Sequence, residues 1–397
     1  MRIVLTIFDK LYLSCYNRAV TANVTGNVSE YYKFSRIEVR SSKTMTSRTK
    51  RVTIRDIAKE LGVTAMTVSR ALNDKPDISP ETKQRVIETA KRLEYVQSAL
   101  GRGLASGYTK AIGCVVTTLT DPFIGRIVEG IEDIAREAGF ALIVTTSQPD
   151  PARQISAINT LSAYRVAGII VLCSRVQPDY LTELVKLDTH IVLINSELSS
   201  EQSNLAENSV RINDVYAAKS AVSHLIELGH VRIAHLKVAD GSTSGQARWA
   251  GYKQTLAEHG LAYDPALTIE TESSEQGGAE ATRKLLDLEP RPTAIFCYAD
   301  QIAVGALATL RQAGLDVPHD MSVVGIDDIA IASWVSPPLT TVRQPTRRMG
   351  RMAMKMVLRQ LEGKPPLGDI VMPGELIIRE SSGPPSTTPT GIVRAAK

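Results

Sequence analysis

The stretch from Val63 to Asn73, VTAMTVSRALN, combines short hydroxyl side chains and an arginine within one helix-length segment. The hydroxyl residues are Thr64, Thr67 and Ser69. Such hydroxyls near a helix N-terminus can bond phosphate oxygens, because that end carries free N–H groups and a partial positive charge. Arg70 follows about one turn later and can make a bidentate contact with guanine. A core helix needs neither feature, so the segment predicts contact with DNA.

Two further residues of this segment are expected at base edges. Ala65 and Met66 fall in the first turn of the predicted helix, which is where helix-turn-helix proteins reach the bases. Thr53, a plausible N-cap of the preceding helix, is expected to contact the DNA backbone. The alternative to a DNA-binding unit is an ordinary three-helix packing unit.

The elements around this segment have helical periodicity. Ile54, Ile57, Ala58 and Leu61 fall at i, i+3, i+4 and i+7, and Gly62 is a plausible end of that helix. Thr64 can cap the second helix. Ser79-Pro80-Glu81 has the cap, proline and acid of a third helix start. Two helices joined by a tight link, followed by a third, form a helix-turn-helix pattern.

Charge is unevenly distributed along the 397 residues, whose formal net charge is +4. Residues 1–110 are basic and residues 111–397 are acidic overall, which indicates a polyanion-binding module attached to another domain. No apolar run is long enough for a membrane helix, and MRIVLTIFDK is too short for a confident signal peptide. We therefore expect a cytoplasmic protein. The four cysteines are scattered and are predicted to be buried free thiols.

After residue 110, short apolar runs alternate with helix-length amphipathic segments. The runs are IGCVVTTL, FALIVTTS, GIIVLC, IVLIN, RIAHLKV, AIFCYA and SVVGI. This alternation predicts a mostly parallel sheet covered by helices, in two halves.

The sequence blocks resemble those of one family over roughly 330 residues. VTIRDIAKELGVTAMTVSRALN resembles the opening signature of the lactose/galactose repressor (LacI/GalR) family of bacterial transcription regulators. Further similar blocks include DPFIGRIVEGIEDIAREAGF, HLIELGHVRIAHL, RPTAIFCYADQIAVGALATLRQAGLDVP, SVVGIDD and PPLTTVRQP. The resemblance implies a small all-α helix-turn-helix DNA-binding domain followed by an α/β two-lobed core like the periplasmic sugar-binding proteins. It also implies a homodimer or homotetramer that binds double-stranded operator DNA and a small-molecule effector.

The resemblance suggests the following domain boundaries. We expect a disordered extension at 1–50, the DNA-binding domain at 51–96, a hinge at 97–110, an effector-binding and dimerisation core at 111–380, and a disordered tail at 381–397. One lobe should comprise 111–212 and 345–372, and the other 213–344 and 373–380. Structure of its own is the alternative for the N-terminal extension.

The hinge is expected to contact DNA through Ser98, Arg102 and Leu104. In the family this stretch forms a short helix on operator DNA, and the residue matching Leu104 is inserted into the minor groove, where an apolar side chain kinks the duplex. Gly101 and Gly103 each cost a helix about 1 kcal/mol relative to alanine. A simple flexible linker is therefore the alternative.

Effector-binding residues are expected on loops that follow strands. The resemblance and the strand-end positions assign this role to Asp121, Phe123, Asn195, Arg248, Asp300, Asp327 and Gln344. Carboxylates and amides there can accept bonds from sugar hydroxyls, and arginine can donate to a ligand. Taken singly, each could instead be a helix cap or a solvated loop charge. Departures from the family pattern, including Ala299 and Ser196, leave the ligand unnamed.

No catalytic constellation or metal pattern is found in the sequence. His224, His230 and His235 fit no zinc spacing, and GSTSG has Thr243 where a serine nucleophile would stand. We expect no enzyme activity, no metal and no cofactor. The favoured function is a transcription repressor controlled by a sugar or sugar-derived effector. The alternative is a transport-type sugar-binding protein without a regulatory role.

Overall fold

The structure, a computed structural model, describes residues 52–96, 108–148, 150–172, 189–195, 208–238 and 242–386. The chain divides into two compact units, Met1–Val96 and Gln97–Lys397. The predicted hinge residues Ser98, Arg102 and Leu104 lie outside the described residues, as do residues 1–51. No helix within the described ranges is both long and apolar enough to span a membrane.

The first unit contains three helices, α1 (Ile54–Leu61), α2 (Ala65–Leu72) and α3 (Pro80–Arg92). Gly62 ends α1 at φ 68°, a left-handed conformation that glycine adopts without a steric penalty. Thr64 caps α2 by accepting a hydrogen bond from the Thr67 N–H at 3.1 Å. The buried core of this unit consists of Ile57, Ala58, Val68, Ala71, Val86 and Ala90. The predicted helices and their apolar faces are therefore confirmed.

The second unit alternates strands and helices. Its strands are β1 (Thr109–Val116), β2 (Ala141–Thr146), β3 (Val166–Leu172), β4 (His190–Ile194), β5 (Asn208–Ile212), β6 (Ile233–Val238), β7 (Thr268–Thr271), β8 (Ala294–Cys297), β9 (Ser322–Asp327), β10 (Thr340–Arg343), β11 (Gly368–Met372) and β12 (Glu375–Ile377). Its helices are α4 (Pro122–Glu137), α5 (Pro151–Ala163), α6 (Asp214–Glu227), α7 (Thr243–Glu258), α8 (Glu275–Leu286), α9 (Asp300–Gln312) and α10 (Thr346–Leu361). Two short 3₁₀ helices cover Pro265–Leu267 and Ala330–Ser333.

These strands form two six-stranded sheets. The first has the order β11-β5-β4-β3-β1-β2 and is parallel throughout. The second has the order β12-β10-β9-β8-β6-β7 and is parallel except for β12, which pairs antiparallel with β10. The chain passes between the sheets after β5, after β10 and after β11. The predicted fold class, a helix-turn-helix domain followed by a two-lobed α/β core, is confirmed.

The central strands are apolar on both faces because helices cover both sides of each sheet. All seven residues of β3 are buried, and so are all four of β8. Cys114 and Cys297 are buried free cysteines, as predicted, and burial raises the pKa of the Cys114 thiol to about 12. Cys15 and Cys173 lie outside the described residues.

The structure corrects the residue at which the predicted disordered tail begins. Ser381 is fully buried: its carbonyl accepts the Val323 N–H at 2.7 Å, and its hydroxyl donates to the Val323 carbonyl at 2.6 Å. The Gly383 carbonyl lies 2.9 Å from Nε2 of His230. Composition predicted disorder here because proline, serine and threonine dominate, but Ser381 satisfies backbone groups near the start of β9. Residues 387–397 lie outside the described range.

Candidate functional site

The candidate ligand site is a cavity of about 110 Å³ between the two sheets, where the strands end. Six of the seven predicted effector residues line it, namely Asp121, Phe123, Asn195, Arg248, Asp327 and Gln344. They come from loops and helix starts of both halves of the second unit. A second cavity of about 260 Å³ adjoins it and shares Asn195 and Ser244.

Arg248 lies in the second turn of α7, and 4% of its side chain is exposed. Its Nε donates to Oδ1 of Asp214 at 2.7 Å, and its Nη1 donates to the Tyr298 carbonyl at 2.5 Å. The guanidinium also stacks on the Tyr298 ring, 4.4 Å from its centroid. Burial opposes the charge, but Asp214, Tyr298 and Asp327 outweigh it and raise the pKa of Arg248. The arginine therefore stays charged and is held in one position.

A serine cap sets the start of the helix that contains Arg248. In the structure α7 begins at Thr243, and the Ser242 hydroxyl caps it by accepting the Gly245 N–H at 3.0 Å. The Ser-Thr-Ser run is therefore a helix start, because a serine N-cap satisfies an N–H that would otherwise lack a partner.

Asp327 ends β9 with φ 130°, a conformation that L-residues rarely adopt. Its Oδ1 accepts a hydrogen bond from Nε2 of Gln344 at 2.6 Å and lies 4.0 Å from Nη1 of Arg248. Burial raises the pKa of Asp327, and Arg248 partly opposes this. Strained backbone at a ligand-lining position is typical of functional sites.

Asn195 directly follows β4 and has φ 58°. Its Oδ1 is buried without a hydrogen-bond partner in the described part of the chain, and so is Oε1 of Gln344. Buried polar atoms are nearly always satisfied in folded proteins. A ligand that donates hydrogen bonds in this cavity would satisfy both acceptors.

Asp121 is the N-cap of α4, and its Oδ1 accepts the Phe123 N–H at 2.9 Å. Burial raises the pKa of Asp121, and the negative charge of Glu275 on α8 raises it further. The carboxylate thus faces the cavity as well as capping its helix. Phe123 supplies an apolar wall beside it.

Asp300 does not line this cavity. Its side chain is fully buried, and it accepts hydrogen bonds from the Thr341 hydroxyl at 2.6 Å and the Ile329 N–H at 3.0 Å. Burial raises its pKa to about 6. Ala299, the preceding residue, lines the cavity instead. Asp300 faces inward because helix α9 starts at this residue, so the structure places it behind the site, where it fixes the loop after Asp327.

Several polar residues around the cavity were not predicted from the sequence. Tyr298, Gln301, Ser244 and Ser273 line it, and Asp214 holds Arg248 from behind. The Ser244 hydroxyl lies 2.9 Å from the Tyr298 hydroxyl. Their position in the sequence could have indicated Tyr298 and Gln301, because they lie on either side of Asp300 just after β8.

The histidines have structural partners. His230 lies 2.9 Å from the Thr293 hydroxyl and 3.1 Å from the Ser322 hydroxyl, and His224 lies 2.9 Å from the Ser382 hydroxyl. His235 is fully buried, where it stacks on Phe296. Within the described ranges, no group of three or more acidic, histidine or cysteine side chains is arranged to hold a metal ion.

The candidate DNA surface is on α2. Met66 is 67% exposed, whereas Val68 on the opposite side is fully buried. Ala65 is partly buried against the helical core. Nε of Arg70 lies 2.7 Å from Oδ2 of Asp77, and about half of each side chain is exposed. The exposed residues of α2 thus include Thr64, Met66 and Arg70, and Thr67 and Ser69 are partly exposed between them.

Two family models match the chain, one for bacterial regulatory proteins of the lacI family at residues 53–98 and one for a periplasmic binding protein-like domain at residues 222–382. The chain is also 34% identical to the HTH-type transcriptional regulator DegA of Bacillus subtilis over 339 residues, which cover 85% of this chain and all of that protein. The chain belongs to the LacI family of bacterial transcription regulators. It is accordingly a DNA-binding regulator of transcription, as predicted.

Two solved structures of transcription regulators are similar to most of the chain. The lac repressor dimer bound to operator and the anti-inducer ONPF has a TM-score of 0.76 and 27% identity, covering 84% of this chain and all of that one. The complex of the transcriptional regulator CelR with cellobiose has a TM-score of 0.64 and 29% identity, covering 83% and 100%.

Proposed function

We propose that this LacI-family chain is a cytoplasmic repressor whose affinity for operator DNA is set by a sugar or sugar-derived effector. The observation that supports this most is the cavity in the core. It collects six of the predicted effector residues, and it contains the buried, unsatisfied acceptors of Asn195 and Gln344. The cellobiose complex of CelR supports a sugar-like ligand by similarity.

The DNA-binding part of the proposal rests on α2. Arg70 is the base-reading residue, and Met66 reaches the base edges with Ala65 beside it. Thr53, Thr64, Thr67 and Ser69 bond the DNA backbone. Because Asp77 holds Arg70 at 2.7 Å, reading a guanine requires Arg70 to exchange that carboxylate for the base. The pair is half exposed, so solvent weakens it and the exchange is feasible.

Coupling between effector and DNA requires two states that bind the effector unequally. We propose that in one state Ser98 to Ala105 forms a helix and Leu104 from each subunit of a homodimer or homotetramer inserts into the minor groove. In the other, the helix is lost and the DNA-binding units move independently. Gly101 and Gly103 raise the cost of forming that helix. The similarity to a repressor dimer bound to its operator supports this arrangement.

Selection of duplexes from a random pool with the purified full chain tests the proposal. We expect an inverted repeat, since a symmetric dimer reads two half-sites. Leu104→Ala should weaken operator binding but leave effector affinity without DNA unaltered, and Gly101→Ala should tighten operator binding by up to about fivefold. Failure to enrich any sequence would refute the DNA-binding function, and wild-type binding by Leu104→Ala would refute the hinge mechanism.

Gel shifts with a selected duplex test the effector part of the proposal. Arg248→Ala and Asp327→Ala should abolish the response to the effector, while both variants still bind operator, because neither residue belongs to the helix-turn-helix unit. Calorimetry with the effector provides the direct measurement. A wild-type heat of binding in both variants would show that this cavity is not the effector site.

A further inference from the structure

Two buried hydrogen-bond acceptors of the cavity have no partner within the described ranges. The Oδ1 of Asn195 and the Oε1 of Gln344 are both buried without a partner among the described residues. Gln344 is 3% exposed, so water does not satisfy its oxygen from bulk solvent. Each of these atoms can be satisfied only by a group that donates a hydrogen bond.

The orientation of the Gln344 amide is set by its neighbour. Its Nε2 donates to Oδ1 of Asp327 at 2.6 Å, and this hydrogen bond favours the charged carboxylate against the effect of burial on the pKa. With Asp327 charged, turning the amide over would place two acceptors against each other. The Oε1 atom is therefore held as an acceptor in the state of Asp327 that binds a cation.

Two carboxylates add to this set of acceptors from opposite halves of the core. Asp121 caps α4 beside the first sheet, and Asp327 ends β9 of the second. Burial raises the pKa of both. Arg248 opposes the rise at Asp327, whereas the charges of Asp300 and Asp121 add to it. At Asp121 the Phe123 N–H opposes the rise and the charge of Glu275 adds to it. Mutual repulsion of this kind is relieved by a proton or by a ligand cation.

The positive charge in the cavity is already compensated. Among the described residues that line it, Arg248 is the one basic side chain. Its guanidinium pairs with Asp214 at 2.7 Å, and two of its three nitrogens donate to Asp214 and to the Tyr298 carbonyl. Asp214 and Asp327 both lie beside this arginine, and Asp121 lines the same cavity. When these three carboxylates are charged, they outnumber the cations among the described residues that line it, so an anionic ligand would meet net negative charge there.

We propose that the effector is a donor-rich polyol without an anionic group, and that Asp121 and Asp327 favour an ammonium substituent over the corresponding hydroxyl. An amino sugar or a related aminated polyol fits this description, whereas sugar phosphates and sugar acids do not. The inference rests on the proposed function, because it names the ligand class of the same site.

Matched sets of sugars test the ligand class with the full chain. Each set contains an amine, its neutral parent, its 6-phosphate and its aldonic acid, built on glucose, galactose and mannose. In titration calorimetry we expect one amine to bind at least about tenfold more tightly than its parent, and the phosphates and acids to give no heat. Tighter binding of any phosphate or acid than its parent would overturn the proposal, as would an absence of binding across all three sets.

Isosteric variants test whether Asp121 and Asp327 cause the preference for the amine. Asp121→Asn and Asp327→Asn should each reduce the preference for the amine to below about threefold. Asp316→Asn is the matched control, because this exposed carboxylate lies in the loop between α9 and β9, at the opposite end of the strand from Asp327. An undiminished preference in both cavity variants would overturn the assignment of the two carboxylates.

Proton release gives a test on the wild-type chain, so it does not depend on how the variants fold. A cation bound beside Asp121 and Asp327 lowers their raised pKa values, and protons leave when it binds. Affinity for the amine should therefore rise as the pH rises from 5 towards neutrality, with net proton release when buffers of different ionisation enthalpy are compared. Proton uptake on binding would contradict the proposal.

The two levels of inference can fail separately. If the amine binds the core but leaves operator affinity unaltered, the proposed regulation fails while the ligand class stands. If a sugar phosphate controls operator affinity, the regulation stands and the ligand class fails. Gel shifts with a selected duplex, run with each member of the sets, separate these outcomes.

Discussion

Replacing Asp214 with asparagine probes the interaction that holds the ligand-facing arginine. The Arg248 and Asp214 side chains are 4% and 13% exposed, and the atoms that join them lie 2.7 Å apart. Asp214→Asn keeps an oxygen near Nε of Arg248 but removes the negative charge. Because the guanidinium cannot lose its proton, it becomes a buried cation without its main counterion.

The magnitude follows from what remains around the arginine. Removing one partner of a buried pair costs about 3–5 kcal/mol. Asp327 remains 4.0 Å away, and a pair at that distance attracts by about 4 kcal/mol at an effective dielectric constant of about 20. The asparagine oxygen also keeps a hydrogen bond. We therefore expect the free energy of unfolding to fall by about 3 kcal/mol, at the lower end of the range.

Urea unfolding of the full chain measures this loss in the core alone. The two tryptophans, Trp249 and Trp334, both lie in the second unit, so their fluorescence does not report on the DNA-binding unit. Asp214→Asn, Arg248→Met and the double variant form a cycle. We expect the double variant to lose roughly 2–3 kcal/mol less free energy of unfolding than the sum of the two single losses.

An exposed ion pair provides the control for this cycle. Glu258 accepts from Nζ of Lys219 at 2.6 Å, and its side chain is 53% exposed. Glu258→Gln should cost less than about 1 kcal/mol, because solvent screens such pairs. If Asp214→Asn costs no more than this control, or if the cycle is additive within about 0.5 kcal/mol, the pair does not hold Arg248 and the reasoning is wrong.

Three further outcomes are expected. Gly125→Ala should raise the free energy of unfolding by up to about 1 kcal/mol, since nothing lies within 4 Å of the new Cβ. Gly130→Ala on the same helix should lower it by roughly 1–3 kcal/mol, because its Cβ would lie 2.1 Å from the Arg347 carbonyl oxygen. Equal effects of the two substitutions in urea titrations would contradict this. Burial lowers the pKa of His235 from 6.5 to about 4, so the neutral ring contributes stability above pH 6.5 that is lost as the pH falls towards 4. Between pH 7 and 4.5 His235→Gln should therefore lose roughly 2–3 kcal/mol less than wild type in urea unfolding, and a parallel loss would refute the role of this ring. Arg70→Ala should weaken binding to a selected operator roughly 5- to 150-fold in competitive gel shifts, and unaltered specific affinity would refute the base-reading role of α2.

Strong local patterns in the sequence were sufficient to predict the helix-turn-helix unit and the central strands. Caps such as Thr64 and the glycine that ends α1 act through neighbouring backbone groups, so their effect can be inferred from a few residues. Apolar runs reflect burial on both faces, which is why β1, β3, β4, β6, β8 and β9 were found. The run over β2 was predicted as well, although this edge strand is only partly buried. The order of blocks also identified the family, which the comparisons confirm.

The strands that the sequence did not reveal are short and depend on distant partners. β5, β7, β10, β11 and β12 contain three to five residues each. β11 pairs with β5, whose residues lie about 160 positions earlier, and β12 pairs antiparallel with β10. Their register is set by a neighbouring strand, so a local pattern cannot specify it.

The candidate site divides in the same way. The family resemblance and strand-end position together indicated Asp121, Asn195, Arg248, Asp327 and Gln344, but only the tertiary structure decided which atoms face the cavity. Helix α9 starts at the residue after Ala299 and turns the next carboxylate inward, although it follows a strand like the others. Local sequence specifies backbone conformation through short-range hydrogen bonds, whereas the direction of a side chain and its charge partners depend on elements packed from far along the chain.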